Sequence, residues 1–281
     1  MENSERNVKI DIPTLVAISI ITWVLAVSLH EVVGHALTAV FLGLDVKLAT
    51  STGVEILSDQ VSYDLWSTSN VRTLLAAGTV INFITGAAAL LILHFRKPTS
   101  KAKQYLLWLF ATFSFVIVIM YLVTTTAIGA GDWIVVVQNL NPRNLYIGII
   151  IGIGILLALP CYALPLKEWM PDMKGNRLTL LKITFIPVIA LTITQILSTL
   201  RSPYLKELGG QNPMLASTFV CIHLVLWAIL VNLIPVPRSL REIESISLGR
   251  SPIWLVTGIV FFIFFVFILG AGIGPLSGLG D

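Results

Sequence analysis

One stretch constrains this chain more than any other: Ser28-Leu-His30-Glu31-Val-Val-Gly34-His35-Ala-Leu-Thr38, two imidazoles and a carboxylate in the middle of the first apolar run. An ionisable side chain at membrane depth is unfavourable unless it is paired or hydrated, so such groups mark functional sites by default. On a regular helix of 3.6 residues per turn, positions five apart diverge by about 140°. His30 and His35 would then face different ways, while Glu31 and His35 would share a face at i, i+4. A one-residue π-bulge would bring the two imidazoles together, and bulges of that kind favour functional sites. Gly34 eases the backbone adjustment. The stretch is either a polar cluster that packs helices or part of an assembled site.

The remainder of the chain says what surrounds it. Of 281 residues, 56% are hydrophobic and only 12% charged, and the mean hydropathy is +0.89. That is the composition of an all-α polytopic membrane protein. Apolar runs predict about seven transmembrane helices: Pro13 to Leu42, Val71 to Phe95, Tyr105 to Ile128, Leu145 to Leu164, Leu178 to Leu200, Met214 to Ile234 and Ile253 to Leu269. The fifth is interrupted by Pro187 and carries Thr192, Thr194 and Gln195. The first run is too long, and too polar in its second half, for a cleaved signal peptide. Between the first two spans lies a polar loop in which Val46-Lys-Leu-Ala-Thr and Val54-Glu-Ile-Leu alternate around Ser51-Thr-Gly53, a hairpin signal. No loop is long enough for a soluble domain, so residues 1–281 read as a single transmembrane domain. Cys161 and Cys221 lie in apolar runs without the spacing of a metal knuckle or a disulfide framework.

With seven spans, thirteen of the eighteen Lys and Arg residues fall on one side of the membrane and five on the other. The bias predicts a cytoplasmic N-terminus and an exterior or lumenal C-terminus. The basic residues are split among short loops, which offers nucleic acid no continuous patch.

His-Glu-x-x-Gly-His is one residue longer than His-Glu-x-x-His, in which two His on one helix face bind Zn²⁺ and the Glu activates a metal-bound water. The stretch is similar to the His-Glu-x-x-Gly-His variant of the dipeptidyl peptidase III family, whose two His still bind zinc. A catalytic site of this kind needs a third protein ligand and an open position for water. Asp132, in Ile128-Gly-Ala-Gly-Asp132-Trp, follows the third span, which runs the same way as the first, so it reaches the matching end of the membrane. Its neighbours Gly129 and Gly131 permit a sharp inward turn; the alternative is an interfacial Asp beside an interfacial Trp. Glu55, Asp59 and Asp64 share that side in the loop, whereas Glu242 and Glu244 are expected on the opposite one. His223 and His94 read as a packing residue and an interfacial residue.

Taken in order, His30-Glu31…His35 in the first span, Ala76-Ala-Gly78-Thr-Val-Ile-Asn82-Phe-Ile-Thr-Gly86 in the second and Gly131-Asp132 after the third resemble the core of the site-2 protease family of intramembrane zinc metalloproteases. The resemblance covers roughly residues 13 to 135, a protease-like core, with residues 145–270 supplying further transmembrane helices. It implies that His30, His35 and Asp132 bind zinc, that Glu31 is the general base, and that Asn82 orients substrate or a ligand. On residues alone, Gly78, Asn82 and Gly86 also form a helix-packing stripe. The family's usual third element, Asn-x-x-Pro followed by Leu-Asp-Gly, is present only in its first half, at Asn232-Leu-Ile-Pro235. The implied activity is peptide-bond hydrolysis in membrane-associated protein or peptide substrates, within or beside the lipid bilayer. The alternating strand after the motif offers an edge on which an unwound substrate can add. Two other functions fit parts of the pattern: an inactive relative that binds membrane-protein clients, and a metal or proton transporter.

Overall fold

The computed structural model describes residues 10–57, 69–169, 177–203, 213–233 and 248–277. Among these, the protein is an all-α polytopic membrane protein with one small hairpin. Helix α1 spans Ile12–Phe41. Asp11 caps its start, accepting from the Thr14 backbone N–H at 3.1 Å and from the Thr14 hydroxyl at 2.7 Å, while Pro13 occupies the first turn, where no backbone donor is lost. Those hydrogen bonds hold the Asp11 carboxyl below its ordinary range. Next come strands β1 (Val46–Thr50) and β2 (Gly53–Ile56), then α2 (Ser69–Arg96), α3 (Lys101–Thr125) and a short α4 (Asp132–Val136). Helices α5 (Arg143–Trp169), α6 (Arg177–Thr199) and α7 (Pro213–Leu233) follow, and α8 (Pro252–Leu269) ends the series.

Six helices, α1, α2, α3, α5, α6 and α8, are long and apolar enough to cross a membrane, and the described apolar part of α7, Ser217–Leu233, is shorter. The seven apolar segments therefore all form helices at the expected places. The fifth span continues through Pro187 as one helix. β1 and β2 pair antiparallel across the Ser51–Gly53 turn, as the alternation indicates.

Helices α1 and α3 are the buried centre. Leu15, Ile18, Trp23 and Val24 of α1 and Tyr105, Trp108, Leu109 and Phe113 of α3 are almost wholly enclosed, whereas α5 and α8 turn rows of Leu and Ile outward, the surface expected to meet lipid tails. The aromatic centre interlocks: Trp23 meets Phe113 edge-on with ring centroids 6.0 Å apart, and Phe113 meets Trp227 of α7 at 5.7 Å. Edge-to-face pairs of this kind add to the contribution of burial itself. Two of the core aromatics also bond to backbone of other helices: Trp108 donates to the Pro165 carbonyl at 2.9 Å and Tyr105 to that of Ile183 at 2.9 Å. Helix α2 leans on α3 and closes the face of α1 that carries His30 and His35.

Candidate metal centre

Residues Leu29–Leu37 of α1 form a π-helical turn. Its i→i+5 hydrogen-bond pattern overlays residues five apart, and the consequence is direct: His30 and His35 point the same way, their rings edge to face with centroids 4.9 Å apart and their Nε2 atoms separated by 3.3 Å. The inserted residue of the motif is absorbed by the wider turn.

The third group arrives from elsewhere. α3 ends in a second π-helical turn, Met120–Thr125, and the chain then reverses through Gly129 and Gly131, both at φ +76°. This left-handed backbone favours glycine. Asp132 opens α4, and its neighbour Trp133 turns inward, the indole N–H donating to the Thr79 hydroxyl of α2 at 3.0 Å. The arrangement sets Asp132 Oδ2 3.6 Å from His30 Nε2 and 3.3 Å from His35 Nε2. Of the sequence alternatives, it is the inward one that forms. His30, His35 and Asp132 each offer a ligand atom, all within 4.8 Å of one another, so the group can hold a metal ion.

Its surroundings orient the ligands. His35 Nδ1 lies 2.9 Å from the Leu74 carbonyl oxygen of α2. A carbonyl only accepts, so Nδ1 carries the proton and the neutral ring presents the Nε2 lone pair to the cluster. A metal-binding His characteristically donates its other N–H in this way. His30 is clamped differently: its ring stacks on Tyr121 with centroids 4.5 Å apart and planes 28° from parallel. Asp132 Oδ2 is buried without a hydrogen-bond partner among the described residues, as is His30 Nδ1. Lone pairs brought this close in a buried site call for a cation or protons between them.

Space for this cluster exists because position 78 has no side chain. A Cβ there would lie 2.5 Å from His35 Nε2 and 2.8 Å from His30 Nε2. One at Gly34 would run into the Gly78 Cα, so α1 and α2 touch backbone to backbone behind the imidazoles.

Glu31 is buried beside His30 and lines a cavity of about 50 Å³ with Trp23, Tyr121, Ser51, Thr52 and Gln195, room for a few water molecules by volume. Asn82 does not line that cavity. It is fully buried on the α2 stripe shared with Gly78 and Gly86, and both of its amide atoms lack partners among the described residues. Glu55 is drawn off by Lys47 at 2.8 Å. His94 pairs with Glu168 at 2.9 Å, and His223 sits 2.8 Å from the Thr124 hydroxyl. Asp59, Asp64, Glu242 and Glu244 lie outside the described residues. Three partners of the site escape sequence reading: the Leu74 carbonyl, which no side chain announces; Tyr121, an ordinary aromatic in an apolar span; and Thr79, whose link to Trp133 depends on helix packing. Compared with known proteins, the chain matches no family model, no curated protein and no solved structure.

Proposed function

We propose that this protein is an intramembrane zinc metallopeptidase, hydrolysing peptide bonds of membrane-associated substrates within or beside the bilayer. The observation that carries the reading is the triangle of Nε2, Nε2 and Oδ2 with sides of 3.3, 3.3 and 3.6 Å, next to a buried carboxylate that lines a cavity. A tetrahedral ion with bonds of ~2.0–2.1 Å holds its ligand atoms ~3.3–3.4 Å apart. Two imidazoles and a carboxylate suit zinc, and three protein ligands leave the fourth position free, as in catalytic zinc sites. Zinc bound there supplies Lewis acidity and lowers the pKa of its water toward ~7.

The chain's own residues do the rest. Glu31, adjacent to a ligand and facing the cavity, takes the proton from the attacking water and delivers it to the leaving amine nitrogen. Trp23, Val27 and Ile117 make the cavity walls largely apolar, which limits bulk water and strengthens each charge interaction inside. A helical substrate segment must unwind first, because its peptide bonds are shielded by their own hydrogen bonds. By the distribution of basic residues the N-terminus faces the cytoplasm, which places the loop of residues 43–72 opposite the loop of residues 96–103; single-cysteine labelling in sealed vesicles tests this, and labelling of both loops from one side would refute it.

The deciding experiment is metal analysis of purified protein beside an assay on a transmembrane peptide substrate. Wild type should carry close to one zinc per chain and cleave. His35→Ala should lose both properties, and Glu31→Gln only the second. Wild-type protein that binds no metal at micromolar zinc would refute the proposal.

A further inference from the structure

The β1 edge expected to be open is already taken. β2 pairs with one side of β1, and on the other lies the chain's own C-terminal segment. Ile273 exchanges two backbone hydrogen bonds with Ala49, and Leu276 two with Val46, all at 2.8 Å. The Ser51 N–H extends the series to the Leu269 carbonyl at 3.2 Å. β1 is thus the middle of three strands. The segment joins the site's surroundings through Leu276, which packs with Ala36, Ala39, Val46 and Leu74. At its other end, Ser51 and Thr52 line the cavity that holds Glu31.

This arrangement has the shape of a bound substrate: an apolar helix (α8) ends, and the chain beyond it continues as a strand added to β1. At the level of Ser51, however, the chain is still helical. Gly270 donates to the Phe265 carbonyl at 2.8 Å and Gly272 to that of Ile268 at 2.9 Å, so the peptide groups nearest the cavity remain tied into the helix end. The segment also holds with few side chains. Gly272 and Gly274 face Leu48 and Lys47 with no room for a Cβ, and glycine loses more conformational freedom on ordering than other residues. Capping an exposed strand edge against unwanted pairing is a common device.

We propose that Gly272–Leu276 is a pseudosubstrate strand, occupying the β1 edge on which an extended apolar peptide pairs, and that substrate must displace it. The hydrolytic part rests on the zinc peptidase reading above; the peptide-binding part does not. The test uses the full-length chain in detergent micelles. Ala49→Cys with Ile273→Cys, in a Cys161→Ala, Cys221→Ala background, joins a directly hydrogen-bonded antiparallel pair, whose Cα separation of about 5.5 Å suits a disulfide. Gly274→Val opens the edge, since its Cβ meets the Leu48 Cα at 3.2 Å and the Lys47 carbonyl carbon at 3.1 Å. The probe is a fluorescent synthetic peptide copying Ala271–Ser277.

Gly274→Val should bind the probe at least tenfold more tightly than wild type, and the oxidised lock should not bind it until reduced. Cleavage of a transmembrane peptide should fall at least tenfold on oxidation, recover on reduction and rise in Gly274→Val. Equal probe binding by the oxidised and reduced lock would overturn the proposal, and so would cleavage indifferent to the lock. If no form cleaves yet probe binding follows the lock, the strand slot stands and the peptidase reading falls.

Discussion

From α1 to α4 the chain buries His30, Glu31 and His35 and brings the half-buried Asp132 to them; from α6 to α8 it buries Gln195, Ser198, Thr199 and Ser217, each against a neutral partner. The Trp23 indole donates to Gln195 at 3.0 Å, the Thr199 and Ser217 hydroxyls lie 2.6 Å apart, and Ser198 donates to the Phe265 carbonyl at 2.8 Å. The second set is complete: donors and acceptors pair, and the result glues helices together. The first set is incomplete by the same accounting, because lone pairs confront lone pairs and a carboxylate oxygen is left over. A satisfied polar network explains itself by packing, whereas an unsatisfied one in a low-dielectric interior points to a ligand.

The same backbone device separates the regions further. The π-helical turn at Leu29–Leu37 aligns two imidazoles, whereas the one at Phe264–Leu269 contains only apolar side chains and leads into the C-terminal strand. The turn supplies geometry; chemistry depends on what it carries.

Substitutions in the two regions should diverge accordingly. The largest effect is expected from Asp132→Ala or His35→Ala, since two remaining ligands hold zinc poorly. Purified protein should contain little metal and show no turnover, while Glu55→Ala keeps both, as judged by metal analysis. Next is Glu31→Gln, expected to keep the metal and lose about 10²–10⁴-fold in kcat, measured by single-turnover cleavage. Gly78→Ala comes third. Its methyl group must displace both imidazoles, and metal affinity should fall by about 10–100-fold, the range for changes that disturb ligand orientation, read by competition with a chelating dye. Smallest at the metal, Gln195→Leu strands the buried Trp23 N–H, which should lower stability by about 1–3 kcal/mol with metal content unchanged. Loss of zinc in Gln195→Leu, or none in Gly78→Ala, would erase the contrast between the regions.

Much of this was legible in the residues. The spans follow from apolar length, and the hairpin from alternation around Ser51-Thr-Gly53. The π-turn was foreshadowed by the five-residue spacing of His30 and His35 with Gly34 between them. Asp132 was one carboxylate among several, singled out by span direction and flanking glycines. Among the described rivals, Glu55 is paired instead with Lys47 on the adjacent strand at 2.8 Å. The assignment of β1 as an edge strand needed correction, because its partner lies more than 220 residues later in the chain.

By itself, the sequence determined the quantities that depend on near neighbours: which segments are apolar enough to cross a bilayer, where strands alternate, and that two imidazoles and a carboxylate lie within six residues of the first span. These follow from local periodicity and transfer energetics, which act over a few residues. Only the tertiary structure decided that Asp132 Oδ2 reaches the two Nε2 atoms, that Leu74 fixes the tautomer of His35, that Gly78 leaves room for both rings, and that residues 273–276 cover β1. Each of these is a contact between distant parts of the chain. Such contacts arise from how helices approach and which backbones touch, and the approach of α1 to α2 at Gly34 and Gly78 is set by the packing of every helix around them.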